Sequence, residues 1–276
     1  MMPAGTGKQV MISNNSVLVR HEAKYVIPQS LLVPMREYLK HYCEPDPHGR
    51  SFPPVYKITT LQLDGPGLPL HHAKQEEKLN RFKLRVRTYD GENSPVFMEV
   101  KQKLGQVIVK SRAKISREAW GPHLIRNTNV DIEFKSDKEY VAFLNFVRLA
   151  REIQAEPVVR IRYERESYFG VNDDYARVSF DQHLEYQPAE DWSVLGHGGN
   201  WIGLDGSLEQ NKLNAWSGVI LELKTLGEAP RWMVELTREF DLVRDGNCKY
   251  STAVWNESLF RGVPKAPAYV AVLQDY

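Results

Sequence analysis

Cysteine is scarce in this 276-residue chain: only Cys43 and Cys248 occur, far apart. Two thiols cannot build the disulfide scaffold of a small secreted domain, nor a cysteine-rich metal site. No stretch approaches the roughly 18 apolar residues of a membrane-spanning helix, and residues 1–15 lack the apolar run of a signal peptide. These absences predict a cytoplasmic protein. An excess of one charge is also missing, since 36 basic residues stand against 35 acidic ones. Without a global positive field, nucleic acid is not an expected partner. Any anion site must therefore gather its cations locally. Repeats and low-complexity tracts are absent too, and what is present is a globular composition, 42% hydrophobic and 26% charged, able to bury a core.

Residues 1–16 are polar and small and read as a disordered N-terminus. Residues 17–27 read as a strand carrying His21, Glu22 and Lys24. Leu32, Met35, Leu39 and Tyr42 then keep helical spacing. Pro45, Pro47, Gly49, Pro53 and Pro54 end that helix in a long loop. Residues 55–63 resume as a strand, and His71 and His72 read as loop residues rather than a metal pair.

In Phe82-Lys83-Leu84-Arg85-Val86-Arg87 every second residue is basic and every second one apolar. Residues 96–103 place Glu99, Lys101 and Lys103 on one face, and residues 107–115 contribute Lys110, Arg112 and Lys114. Residues 177–181 and 221–224 repeat the period. Successive strand side chains point to opposite faces, so each segment carries one charged and one apolar face. Ser136 and Glu139 form a capping box ahead of Tyr140, Phe143, Leu144 and Val147. Pro230 opens a short helix with an apolar stripe of Met233, Leu236 and Phe240. Residues 188–216 are taken as a long loop or hairpin insertion. The run Gly196-His197-Gly198-Gly199 within it lacks the Lys-Ser or Lys-Thr of a phosphate loop.

Such strands are compatible with ordinary solvated faces. Two features favour an inward lining: several strands carry two or three mainly basic charges on one face, and the acids there are single glutamates among bases, Glu99 beside Lys101 and Glu222 beside Lys224. The expected fold is α+β, an antiparallel β-tunnel or closed barrel with a charged lumen, flanked by helices on its apolar outside. Charges away from bulk water need compensation, which a chain of phosphates supplies. Arg meets phosphate bidentately and Lys as a point charge. Alternation puts Arg160 and Arg162 on the face opposite Tyr163 and Arg165, hence outside.

In order along the chain stand Arg20-His21-Glu22-Ala23-Lys24-Tyr25, Asp46-Pro47, Lys83-Leu84-Arg85-Val86-Arg87, Met98-Glu99-Val100-Lys101, Lys110-Ser111-Arg112, Tyr163-Glu164-Arg165, Leu221-Glu222-Leu223-Lys224 and Lys249-Tyr250. This series resembles the VTC domain, the polyphosphate polymerase domain of the triphosphate tunnel metalloenzyme superfamily. The resemblance runs from Arg20 to about Val254 and implies one tunnel domain, 17–260, followed by a tail, 261–276. It implies binding of ATP and a divalent metal, Mn²⁺ or Mg²⁺, and transfer of the γ-phosphate to a growing polyphosphate chain. Lys24, Arg85, Arg87, Lys101, Arg165 and Arg177 are implied as catalytic residues. Lys83, Lys103, Lys110, Arg112, Lys224 and Lys249 are the further phosphate-binding positions. Glu222 is the implied metal ligand, with Glu99 assisting.

The chain departs from the family pattern at Cys248, where a small hydroxyl residue is usual, at Gly246, where lysine is common, and at Leu63-Asp64-Gly65, where aromatic-Asp-Thr is usual. These departures bear on contacts near one tunnel mouth. The membrane-spanning parts of eukaryotic complexes are not seen, so coupling of product to membrane transport would require a partner. A triphosphatase on the same scaffold and a non-catalytic polyphosphate-binding module are the alternatives. A tunnel open at both ends favours polymerisation and a plugged one hydrolysis.

Overall fold

The structure, a computed structural model, describes residues 20–261 except 50, 92, 106, 128–131, 174, 197 and 205–217. The expected disordered segment 1–16, residues 262–276 of the tail, His197 and much of the 188–216 insertion lie outside the described residues. The strands are β1 (Arg20–Ile27), β2 (Cys43–Pro45), β3 (Val55–Asp64), β4 (Asn80–Tyr89), β5 (Val96–Leu104), β6 (Val107–Ile115), β7 (Glu156–Gly170), β8 (Arg177–Pro188), β9 (Ile202–Gly203) and β10 (Val219–Leu226). The helices are α1 (Leu32–Leu39), α2 (Pro69–Gln75), α3 (His123–Arg126), α4 (Asp137–Glu152), α5 (Arg231–Glu239) and α6 (Lys249–Arg261). Among the described residues no helix is long and apolar enough to cross a membrane.

The strands form one antiparallel sheet in the order β1-β10-β8-β7-β3-β4-β5-β6, with β2 added beside β7 and β9 beside β8. Laid flat, strands about 4.8 Å apart would hold β1 and β6 roughly 34 Å from each other. Yet Glu22 on β1 lies 3.6 Å from Lys110 on β6 and 3.5 Å from Lys101 on β5. The sheet is therefore strongly curled, and its two edges meet through side chains. The expected closed barrel does not form: among the described residues the hydrogen-bonded path ends at β1 and β6, so the sheet is an open curl. Long charged side chains stand along that seam, a usual way of blunting free strand edges.

Strand alternation divides the apolar residues between two outer cores and one inner one. On the outside of β3–β6, Leu61, Leu84, Val86, Met98 and Val100 pack against Phe143, Phe146 and Val147 of α4. On the outside of β1, β10 and β8, Tyr25, Leu221, Leu223, Val178 and Phe180 pack against Met35 and Leu39 of α1 and Trp232, Met233 and Leu236 of α5. The inner core joins Tyr250, Ala253 and Val254 of α6 to Ile58, Ile161, Tyr163, Leu184 and Ile220. Helix α6 thus occupies part of the concave side.

Local chemistry explains the helix starts. Ser136 Oγ accepts from the Glu139 N–H at 3.3 Å, as a capping box requires, while the Glu139 carboxylate accepts from the Lys135 N–H at 3.2 Å. The α4 stripe is turned from its expected centre: Tyr140 and Leu144 are 49% and 45% exposed, because Phe143, Phe146, Val147 and Ala150 define the inward face. His71 and His72 lie on a helix rather than in a loop. Pro69 sits in the first turn of α2, and the Asp64 carboxylate accepts N–H bonds from Gly65, Leu70 and His71. The expected long loop after α1 contains the short strand β2, whose Pro45 sits at the edge beside β7.

Candidate functional site

Register fixes which side chains share the concave face. Lys24 stands opposite Glu222 and Glu22 opposite Lys224 between β1 and β10. Arg165 stands opposite Asp181 and Tyr56, Arg85 opposite Gln62 and Glu99, and Arg87 opposite Thr60 and Phe97. Lys101 faces Lys83 on one side and Lys110 on the other, while Glu99 faces Arg112. Arg160 and Arg162 are on the opposite side, as alternation predicts. Arg160 bonds the 188–193 segment, and Arg162 pairs with Glu185 and stacks on Trp201.

Three ionic clusters result. In the first, Glu99 accepts from Arg85 Nε at 2.6 Å and Arg112 Nε at 3.0 Å, with Arg87 Nη2 at 3.6 Å. Burial alone would raise the Glu99 carboxyl, but Arg85, Arg87 and Arg112 outweigh it and hold the group at about 2. In the second, Arg165 grips Asp181 through two bonds of 2.6 and 2.8 Å, and Lys249 Nζ reaches the same carboxylate at 2.6 Å. Burial opposes ionisation of Asp181, yet these cations keep it well below the ordinary range.

The third cluster centres on Glu222. Lys224 lies at 2.6 Å, and Lys24 and Arg165 at 3.6 Å. Burial raises this carboxyl, but Lys224, Lys24, a hydrogen bond with Glu22 and Arg165 bring it well below its usual value. Lys24 loses charge stability by burial and regains more from Glu222 and Glu22, so its ammonium is held above the ordinary range. Lys101 goes the other way: burial, with Lys110, Lys24 and Lys83 nearby, brings it down to about 8 against the opposing pull of Glu22.

Arg87 is buried, and its Nε has no hydrogen-bond partner among the described residues. A buried, unsatisfied charged donor is costly unless a ligand oxygen meets it. Beside these clusters a cavity of about 510 Å³ opens, lined in part by Lys24, Lys83, Lys101 and Lys103. Lys74, Arg81 and Arg244, which sequence reasoning did not single out, join that lining. Cys248 lies there too, with the Lys83 ammonium 2.9 Å from its Sγ. Burial would raise this thiol, but Lys83 and Ser251 bring it down to about 6.

Most of the expected residues are thus brought together. Arg177 is the exception: it shares the face but stands exposed at a strand end, stacked on Phe169 and Tyr175 at 4.3 and 4.9 Å. Lys103 lies one step along β5 from Lys101, toward the cavity. Among acids, Glu99 is enclosed by guanidinium groups, whereas Glu22 is the carboxyl bonded to Glu222. Glu22 and Asp181 were visible as charged members of alternating strands, but Glu222 and Lys101 beside Glu22, and Lys249 beside Asp181, are remote from them in sequence. No cluster of three or more His, Cys, Asp or Glu side chains suited to a metal occurs among the described residues. The Glu22–Glu222 pair supplies oxygen donors side by side, which fits a hard divalent ion that keeps most of its waters.

A family described as the VTC domain matches residues 19–255. No curated protein matches the chain. Among solved structures, the PH1819 protein from Pyrococcus horikoshii OT3 is 10% identical with a TM-score of 0.43, covering 86% of this chain and 99% of its own. The Hippeastrum protein HpAC1, described as a candidate adenylyl cyclase with a dominant triphosphatase activity, is 15% identical with a TM-score of 0.46, covering 90% of this chain and 99% of its own.

Proposed function

The chain belongs to the VTC domain family, and from that premise we propose that it is a metal-dependent polyphosphate polymerase. It moves the γ-phosphate of ATP onto a growing polyphosphate chain lying along the charged concave face. The observation that carries this reading is Arg87: a buried guanidinium with an unpartnered Nε beside Arg85, Arg112 and Arg165 calls for an anionic oxygen. Cations outnumber carboxylates across the three clusters, and they continue past Lys101 into the open cavity. That extent suits a phosphate chain longer than one triphosphate.

Phosphoryl transfer asks mainly for positioning and for fixed charge around the transferred group's oxygens. Arg85, Arg87 and Arg165 are oriented in advance by Glu99 and Asp181, so they need no rearrangement as charge develops. Lys24 and Lys101 line the cavity beside the guanidinium tier and would neutralise the chain. Glu222 with Glu22 would hold Mn²⁺ or Mg²⁺, which when bound neutralises phosphate oxygens; the family is generally metal-dependent. Glu99 has the different task of aligning three arginines. An ATP-dependent enzyme of this kind is at home in the cytoplasm, and delivery of its product across a membrane would need a partner.

One observation favours a triphosphatase as the second reading. Helix α6 fills part of the concave side, and a plugged tunnel would leave water rather than a chain end as acceptor. The cavity beside the start of α6 keeps that end accessible, which is why polymerisation ranks first.

Glu222→Gln tests the assignment. Turnover of ATP is expected to be lost in Mn²⁺ or Mg²⁺ buffers, while tripolyphosphate binding measured by calorimetry stays within a few-fold of the parent. Surviving turnover would remove Glu222 from the metal site, and a chain that bound phosphate without any turnover in the parent would be a binding module.

A further inference from the structure

The concave face changes chemistry from one end to the other. Along β5 its inward residues are Phe97, Glu99, Lys101 and Lys103, and along β4 they are Tyr89, Arg87, Arg85, Lys83 and Arg81. Phe97 and Lys103 are separated by about 20 Å at the usual rise per strand residue. One end is therefore aromatic, the middle guanidinium, and the far end lysine.

The aromatic end is built by register. Phe97 stands directly opposite Arg87, Tyr56 opposite Arg165, and Tyr89 opposite Ile58. The ring centroids of Tyr56 and Tyr89 are 6.0 Å apart, and those of Tyr89 and Phe97 5.7 Å apart at 80°. Arg112 reaches back from the Glu99 cluster and lays its guanidinium 4.6 Å from the Phe97 centroid. All three rings are only half-buried, whereas their inward neighbours Ile58 and Tyr163 are buried. A phosphate chain has no use for a half-open aromatic face. A nucleobase has, because it stacks on rings and on guanidinium planes whatever its sequence of hydrogen-bonding groups.

We propose that Tyr56, Tyr89 and Phe97, with Arg112 across Phe97, form the platform that takes the nucleobase of the phosphate donor. The inference rests on the reading of this face as a phosphate site and adds its direction. The nucleotide enters at the aromatic end with its triphosphate pointing toward Arg87 and Arg85, and the chain extends toward the lysine-lined cavity.

The test compares two donors that share phosphates and differ in the base. ATP and inorganic tripolyphosphate are titrated separately into the whole chain, its Phe97→Leu and Tyr89→Leu variants, and Tyr89→Phe, all first checked for an intact melting transition. Stacking of a base on one ring contributes about 1–3 kcal/mol, so each Leu variant is expected to shift affinity toward tripolyphosphate over ATP by about 5- to 150-fold. Tyr89→Phe keeps a ring and is expected to keep the parental preference. If both Leu variants leave the ATP-to-tripolyphosphate ratio unchanged while both ligands still bind, the platform is overturned and the phosphate site stands. A parent chain that binds neither ligand overturns both.

Discussion

Lys101 is the residue whose charge the site can lose under mild conditions. Burial and three neighbouring ammonium groups bring it down to about 8, with only Glu22 at 3.5 Å in opposition. The charged form binds phosphate, so the contribution of Lys101 to affinity is expected to be full below pH 8 and to be lost as pH rises beyond it. A bound polyanion pulls the group's titration back upward, so binding near pH 8 should take up protons. In Lys101→Arg the high-pH decline should move out of range, since guanidinium stays charged; a calorimetric affinity profile from pH 6.5 to 9.5 checks this. An identical profile in the variant would assign the titration elsewhere. Alternation alone exposed Lys101, Arg85 and Arg87 as members of one face. It could not show that Glu99 is enclosed by three arginines, which depends on the β4–β5 and β5–β6 registers, or that Glu22 is the acid nearest Glu222, which lies on a strand near the other end of the chain.

At the scale of elements, α6 was visible in sequence only as the pair Lys249-Tyr250. Two polar tethers fix it: Lys249 pairs with Asp181 at 2.6 Å, and the buried Tyr250 hydroxyl donates to Asp64 at 2.7 Å, on the carboxylate that also caps α2. The Leu63-Asp64-Gly65 departure therefore retains the acid that ties β3, α2 and α6 together. A hydrogen bond to a charged group is worth roughly 2 kcal/mol. Tyr250→Phe is expected to lower the melting temperature by about 4–8 °C and to leave the three backbone bonds of Asp64 in place; an unchanged transition would mean that apolar packing and the Lys249–Asp181 pair hold α6 without it. Helix α2 escaped the sequence because its capping acid precedes it by several residues and because adjacent histidines give no helical period. Strand β2 escaped because three residues are too few for alternation to register.

For the whole molecule, the decisive feature is curvature. Ten strands in one sheet bring Glu22 to within 3.6 Å of Lys110 although their strands end opposite edges of the path. The charged and apolar faces were readable from period two, and the covering helices α1, α4 and α5 from helical spacing. Closure was not, because whether two edges bond depends on the accumulated twist of every strand between them. The open seam remains bridged by ion pairs, and the three ionic clusters form a band beside the cavity. Incubating the purified chain with ATP and Mn²⁺ or Mg²⁺, then resolving the products on a gel stained for polyphosphate alongside a free-phosphate assay, tests that band's purpose most directly. Long chains that vanish in Arg85→Ala are the expected result; free phosphate with no chains would contradict the polymerase account and leave the triphosphatase in its place.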